Sequence, residues 1–160
     1  NVTVRGTAFP EINLNTNSNN IASGSTTIAT TINTDFGSTD INSGSVSKSF
    51  TIQNTGLASL SVWSVYTNSG DFSATVSSSV INPGSSATLT VVFNPTNAGV
   101  RNGIVSISNN DGDEGTYTFA VQGIGTEPTD QTQEATDQGE ARAIGSARRY
   151  QSMLVARFYA

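Results

Sequence analysis

The chain has 160 residues, a formal net charge of −5 and only 12% charged side chains, about half the usual share. The acidic balance argues against nucleic acid as a partner, and the lack of Cys and His excludes disulfides, thiol chemistry, the commonest general base and the commonest metal ligand. Ser, Thr, Asn and Gly take the polar positions, as in many extracellular proteins, and no apolar run approaches the about 20 residues that span a bilayer.

In chain order, residues 1–9 (Asn-Val-Thr-Val-Arg-Gly-Thr-Ala-Phe) read as a strand closed by Gly6. Ile12 and Leu14 alternate after Pro10, and Asn15 to Asn20 read as a loop. Ile28, Thr30 and Ile32 make a weakly alternating stretch, and Asp35-Phe36-Gly37 opens a turn region with one buried aromatic. Val46 to Gln53 is a strand with Phe50 and Ile52 inward. Leu60 to Tyr66 is the next, stopped by the turn Asn68-Ser69-Gly70. Phe72, Ala74 and Val76 alternate in a further strand. Asn82-Pro83-Gly84 then turns the chain into its clearest element, Leu89 to Pro95. There Leu89, Val91 and Phe93 share one face and Thr88, Thr90, Val92 and Asn94 the other, as in a strand with one side in a core. Pro95 ends it, having no N–H for a ladder. Val105 and Ile107 follow within Arg101 to Asn109. Asn110-Asp111-Gly112-Asp113 marks a hairpin, and Tyr117, Phe119 and Val121 form the last strand before Gly123 and Gly125.

About seven short strands with no helix between them indicate an all-β protein, an antiparallel β-sandwich. About twenty inward apolar side chains, at roughly 1.5 to 3 kcal/mol each, suffice for a core without disulfides. Composition shifts at Glu127. Residues 127–140 hold no large apolar side chain and read as a polar linker. Residues 141–160 turn basic and apolar, with Arg142, Arg148, Arg149 and Arg157. As a helix they align Ala143, Ala147, Tyr150, Leu154 and Phe158. As a strand they alternate Met153, Val155, Arg157 and Tyr159 with Leu154, Ala156 and Phe158. Gly145 and the β-rich context favour the strand. Either way, Tyr150, Leu154 and Phe158 need a surface to dock on. The chain starts at Asn1, with no initiator Met and no leader in view, and is expected to be a mature or excised product.

A family resemblance rests on ordered turn motifs: Asp35-Phe36-Gly37; Ser49-Phe50-Thr51-Ile52-Gln53-Asn54-Thr55-Gly56; Ser69-Gly70-Asp71-Phe72; Ile81-Asn82-Pro83-Gly84; Val92-Phe93-Asn94-Pro95; Gly103 to Ile107 with Asn109-Asn110-Asp111; and Gly123-Ile124-Gly125. Over residues 10–126 the chain resembles the choice-of-anchor D repeat of bacterial surface proteins. That repeat is related to the ASPM–SPD-2–Hydin domains and to the major sperm protein and PapD-like immunoglobulin folds. The resemblance implies an antiparallel immunoglobulin-like β-sandwich, usually in tandem in large secreted or surface-attached proteins, with no enzymatic activity and no catalytic residues. Gly145-Ser146-Ala147 with Leu154 to Phe158 is also similar, over that short stretch, to a unit of the delta-sixty β-repeat family.

Val4-Arg5-Gly6-Thr7-Ala8-Phe9-Pro10 resembles Val121-Gln122-Gly123-Ile124-Gly125-Thr126-Glu127-Pro128. Residues 1–9 thus look like the final strand of a preceding repeat, surplus to a domain that has its own last strand. Val2, Val4, Gly6, Ala8 and Phe9 are the candidate strand-exchange residues. A surplus strand can template pairing with a neighbour's edge, and a head-to-tail contact that does not close propagates into a filament. The expected function is therefore a structural subunit of an extracellular fibre or cell-surface assembly, with copies of itself as partners. The alternative is a passive spacer or glycan-binding adhesion module from a tandem-repeat surface protein, meeting glycan or cell envelope.

Other constellations weigh less. Asp111, Asp113 and Glu114 are candidates for Ca²⁺, which takes six to eight oxygens. They lack the later bidentate Glu of an EF-hand loop and suit plain turn chemistry, so no cofactor or metal is expected. Lys48, the lone lysine, lies in line with Phe50 and Ile52. Its stem should cover the core edge with the amine in water; an isopeptide bond is the sharper alternative. Trp63 with Tyr66 would make an aromatic platform for sugar, but strand parity favours a core position for Trp63. Arg148-Arg149 facing anionic lipid and an N-glycosylation sequon at Asn1-Val2-Thr3 complete the set. No nucleophile–base pair or phosphate-cradling loop stands out.

Overall fold

A computed structural model of the chain describes residues 8–128 apart from Ser43. Ten strands follow one another: β1 (Ile12–Thr16), β2 (Asn19–Ile21), β3 (Asp35–Asp40), β4 (Val46–Asn54), β5 (Leu60–Thr67), β6 (Phe72–Val76), β7 (Val80–Ile81), β8 (Ser86–Phe93), β9 (Gly99–Asn109) and β10 (Thr116–Thr126). They make two five-stranded sheets, ordered β2-β1-β4-β8-β6 and β3-β10-β9-β5-β7. Alternate residues of facing strands meet between the sheets in one cluster, with Leu89, Val91, Phe93, Phe50, Ile52, Ile107, Phe119 and Val121 at its centre. Three rings close the β3–β6 side: Phe72 stacks on Phe93 with centroids 4.8 Å apart, and Phe36 meets Phe72 edge-on at 5.5 Å.

The sandwich and most strand faces agree with the alternation in the sequence; several connections differ. Asn15 to Asn20 is a two-stranded hairpin, with Thr16 paired to Asn19. Its tip, Asn17 and Ser18, takes positive φ at both residues, 47° and 66°, the twist that two-residue hairpins require. The Ile28–Ile32 stretch is no strand; Thr30–Ile32 is a single 3-10 turn, ended by Asn33 at φ 59°, whose amide donates to Thr16 Oγ1 at 2.7 Å. Asp35-Phe36-Gly37 begins β3 instead of a turn, though Phe36 is buried as expected. β3 also breaks the antiparallel rule, running parallel to β10.

Trp63 is the clearest correction. It is 68% exposed, not in the core. Val62 opposes Asn109 and Ser64 opposes Ser108, so β5 carries one extra residue against β9. With Leu60 and Val62 inward, strict alternation already faces Trp63 outward; the bulge adds Ser64 to the outer side and returns Val65 to the core side.

The chain comes in at one pole and leaves at the other. Ile12 N–H donates to Asp111 Oδ2 at 2.8 Å, placing the start of β1 beside the β9–β10 hairpin. At the far pole Gly125 opposes Gly99 and Thr126 lies beside Asp40. The eleven residues of β10 separate the poles by about 36 Å at the usual rise per residue.

Candidate functional site

Among the described residues the two sheets end in four edge strands, β2, β6, β3 and β7, and edges are where a β protein meets other chains. β2 is three residues long and β7 two, too short to template a partner. β3 carries Asp35 and Asp40, with Gly37 at φ 70° between them and a register break against β10. β6 differs. Phe-Ser-Ala-Thr-Val has no charge, no proline and an unbroken register against β8. Asn94 N–H donates to Asp71 O and Ser77 N–H to Thr88 O, which fixes the phase of that ladder. Ser73 and Thr75 therefore bond to β8, whereas Ala74 and Val76 present N–H and C=O to the open side. Val65, beyond the bulge of β5, points its backbone groups away from β9 in the same way. Val65, Ala74 and Val76 are half-buried against the core. Trp63 and Tyr66, 51% exposed, stand on the outer face of the second sheet, with Ile104 of β9.

The turn before β6 is held by a charge pair that the sequence reading missed. Asp71 is buried; its Oδ2 accepts from Arg101 Nε and Nη2, each at 2.7 Å, and its Oδ1 accepts from Thr96 N–H at 2.8 Å and Thr96 Oγ1 at 2.9 Å. Burial opposes the charge, but the Thr96 amide, the Arg101 guanidinium and the Thr96 hydroxyl together hold its pKa below the ordinary aspartate value. The isolated acid after Ser-Gly was the available signal. Asn54 is a second buried junction: its Oδ1 accepts from Gly56 and Glu11 N–H, and its Nδ2 donates to Ala58 and Ile81 O.

At the hairpin pole the acidic group has different members from those expected. Glu11 joins Asp111 and Glu114, with carboxylate oxygens within 4.8 Å of one another, and Asp113 lies outside this trio. Asp111 is committed to structure, accepting from Ile12 N–H and from Asp113 N–H at 3.4 Å. Partial burial first, then the neighbouring carboxylates, raise the pKa of Glu11 and of Glu114. These oxygens are of the type that binds a hard cation, but crowded carboxylates at a turn need none.

Ala8 and Phe9 are the described strand-exchange candidates. Both are exposed at the side chain, Phe9 by 64%. The Phe9 carbonyl accepts from Leu57 and Ala58 N–H, at 2.8 and 3.2 Å, so its backbone is tied to its own domain. Val2, Val4, Gly6, the Asn1 sequon, Arg148-Arg149 and the docking candidates Tyr150, Leu154 and Phe158 lie outside the described residues. Lys48 covers the core edge as expected, but its amine donates to Asp35 O at 2.5 Å and sits 5.5 Å from the Phe36 ring centre. A backbone carbonyl, not an acid or an Asn, is the partner seen. No helix among the described residues is long and apolar enough to cross a membrane.

The sequence profile of the HYDIN/CFA65/VesB-like, Ig-like domain family matches residues 29–124. Among solved structures, a protein of unknown function from Porphyromonas gingivalis is similar with a TM-score of 0.54 at 20% identity, covering 77% of this chain and 49% of that one. The secreted serine protease VesC from Vibrio cholerae aligns at 0.43 and 17% identity over 57% of this chain and 21% of its own. The ASH/PapD-like domain of human CEP192 aligns at 0.44 and 14% identity, over 61% and 84% respectively. The chain thus spans 49% of the Porphyromonas protein's length and 21% of VesC's, and the likeness to the former is one of fold. No curated protein matches the sequence significantly.

Proposed function

The chain belongs to the HYDIN/CFA65/VesB-like, Ig-like domain family, and from that premise we propose that it is a structural unit of an extracellular fibre or cell-surface assembly, joined head to tail by β-strand addition. The observation that carries this reading is polarity. The strands that open and close the described sandwich lie at opposite poles, and its described strands come from residues 12–126. The reading takes residues 1–7 as a strand surplus to that fold, joined to it through Phe9, whose carbonyl is bonded to Leu57 and Ala58. An alternating segment with a row of backbone groups is suited to pairing with another chain's edge. A contact between unlike surfaces repeats without closing unless its rotation makes a ring. The low charge and hydroxyl-rich surface suit an extracellular setting. The reading is non-catalytic: without His, the many Ser and Thr hydroxyls lack their usual activating base.

Light scattering and electron microscopy of the full chain and of a chain lacking residues 1–7 test it. The full chain should form particles that grow with concentration, and the shortened chain should stay monomeric at the same melting temperature. Equal particle size in both would overturn the reading. A second function has its own support in the exposure of Trp63 and Tyr66, two rings on a face rich in Ser and Asn, as a glycan-binding platform needs. Trp63 is the chain's single tryptophan. Its fluorescence should respond to a surface polysaccharide if that reading holds, and stay unchanged across a glycan panel if it does not.

A further inference from the structure

We propose that the acceptor for residues 1–8 is the open edge of β6 in a second copy of the chain, and that the last-strand slot is closed to them. This rests on the strand-addition reading above and names its site. The similarity of Val4–Pro10 to Val121–Pro128 would by itself send residues 1–9 into a copy's β10 slot. Two observations bar that. β10 is bonded on both sides, by β9 along its length and by β3 and Ser25 on the other flank. Its C-terminal half also admits no side chain at two points: a Cβ on Gly123 would enter the Phe93 ring, and one on Gly125 would strike the Asn97 carbonyl. In the matching register Gly6 satisfies the first point, but Ala8 falls at the second. One methyl group therefore makes the slot a filter that passes the chain's own last strand and rejects its first.

The β6 edge makes no such demand. It is uncharged, unbroken and five residues long, about 17 Å at the usual rise. Residues 1–8 extend to about 26 Å on the same measure, so they can cover it while Phe9 stays bonded to its own body. An added strand would take up the N–H and C=O of Ala74 and Val76. Val2, Val4, Gly6 and Ala8 would lie on the inward side, over half-buried Val65, Ala74 and Val76, leaving Thr3, Arg5 and Thr7 outward beside exposed Thr75.

The absence of cysteine from the chain makes a disulfide trap clean. Full chains carrying Thr3→Cys, Arg5→Cys or Thr7→Cys are mixed, one at a time, with a full chain carrying Thr75→Cys or, on the β3 edge, Ser38→Cys. Cross-strand neighbours lie close enough for a disulfide. One donor position should give a Thr75→Cys heterodimer at least about tenfold above any Ser38→Cys product, the margin expected of a paired against an unpaired site. Equal trapping at Ser38→Cys, or particles that form without trapping at Thr75→Cys, would overturn this acceptor and leave the fibre reading standing. A disulfide inside a monomer, in a chain carrying both substitutions, would overturn it in favour of self-capping. A full chain that forms no particles would overturn both.

Discussion

Asp71 shows how one side chain decides local order. It binds the turn before β6 to the loop after β8 and to β9 through four contacts from Thr96 and Arg101. Asp71→Ala strands a guanidinium and an amide, and should cost about 2 to 3 kcal/mol, read as a lower denaturant midpoint with unchanged slope. The pH dependence has a definite sign. The folded state holds Asp71 below its ordinary value of 3.8, so its contribution is complete above that pH and is lost as pH falls below it. Glu11 and Glu114 act oppositely. Their pKa values are raised from 4.5, so the folded state keeps their protons longer, and they lose stability for the molecule as pH rises above 4.5. Glu114→Gln should therefore stabilise the protein at pH 7, by about 0.5 kcal/mol as befits a surface charge, and the gain should vanish near pH 4. A stability loss at pH 7 would contradict the crowding of carboxylates.

At the scale of elements, the β1–β2 hairpin and the β5 bulge explain where period counting stops. Asn17 and Ser18 both sit in the left-handed region, which suits Asn and glycine better than Ser. Ser18→Gly should raise stability by about 0.5 to 1 kcal/mol, since it relieves strain at a position that tolerates it; a lower melting temperature would show that the Ser18 side chain contributes more than its backbone costs. A polar run of Asn and Ser reads as a loop because its composition is that of a loop; only the pairing of Thr16 with Asn19 makes it a hairpin. The bulge between Val62 and Ser64 is equally silent in sequence, because one inserted residue changes parity without changing composition, and it brings Val65 rather than Ser64 to the core side. Trp63 should emit at the red, water-exposed end in the native state and shift little on unfolding. A blue emission that reddens on unfolding would return it to the core.

At the scale of the whole molecule, the two described sheets packed around one cluster should unfold as a single cooperative unit, with far-ultraviolet and tyrosine signals coincident. High pH offers a second route to unfolding. Burial first, then the nearby Glu114 charge, raise the pKa of Tyr117 above 10.0, while its hydroxyl bonds to Ile21 O. Its contribution is thus full below that pH and falls above it, so stability should drop between neutral and strongly alkaline conditions, more steeply than in Tyr117→Phe. What the sequence alone determined is what period and punctuation can carry: an all-β sandwich, the inward faces of β4, β8, β9 and β10, and the hairpin at Asn110–Asp113. Those features follow from which residue types share a face, a local property. The parallel seat of β3 on β10, the grip of Arg101 on Asp71, the return of Val65 to the core side and the position of β6 at a sheet edge among the described residues came only with the tertiary structure. Each depends on partners distant in the chain, and a strand's own residues do not say which of its two edges will be left without a neighbour.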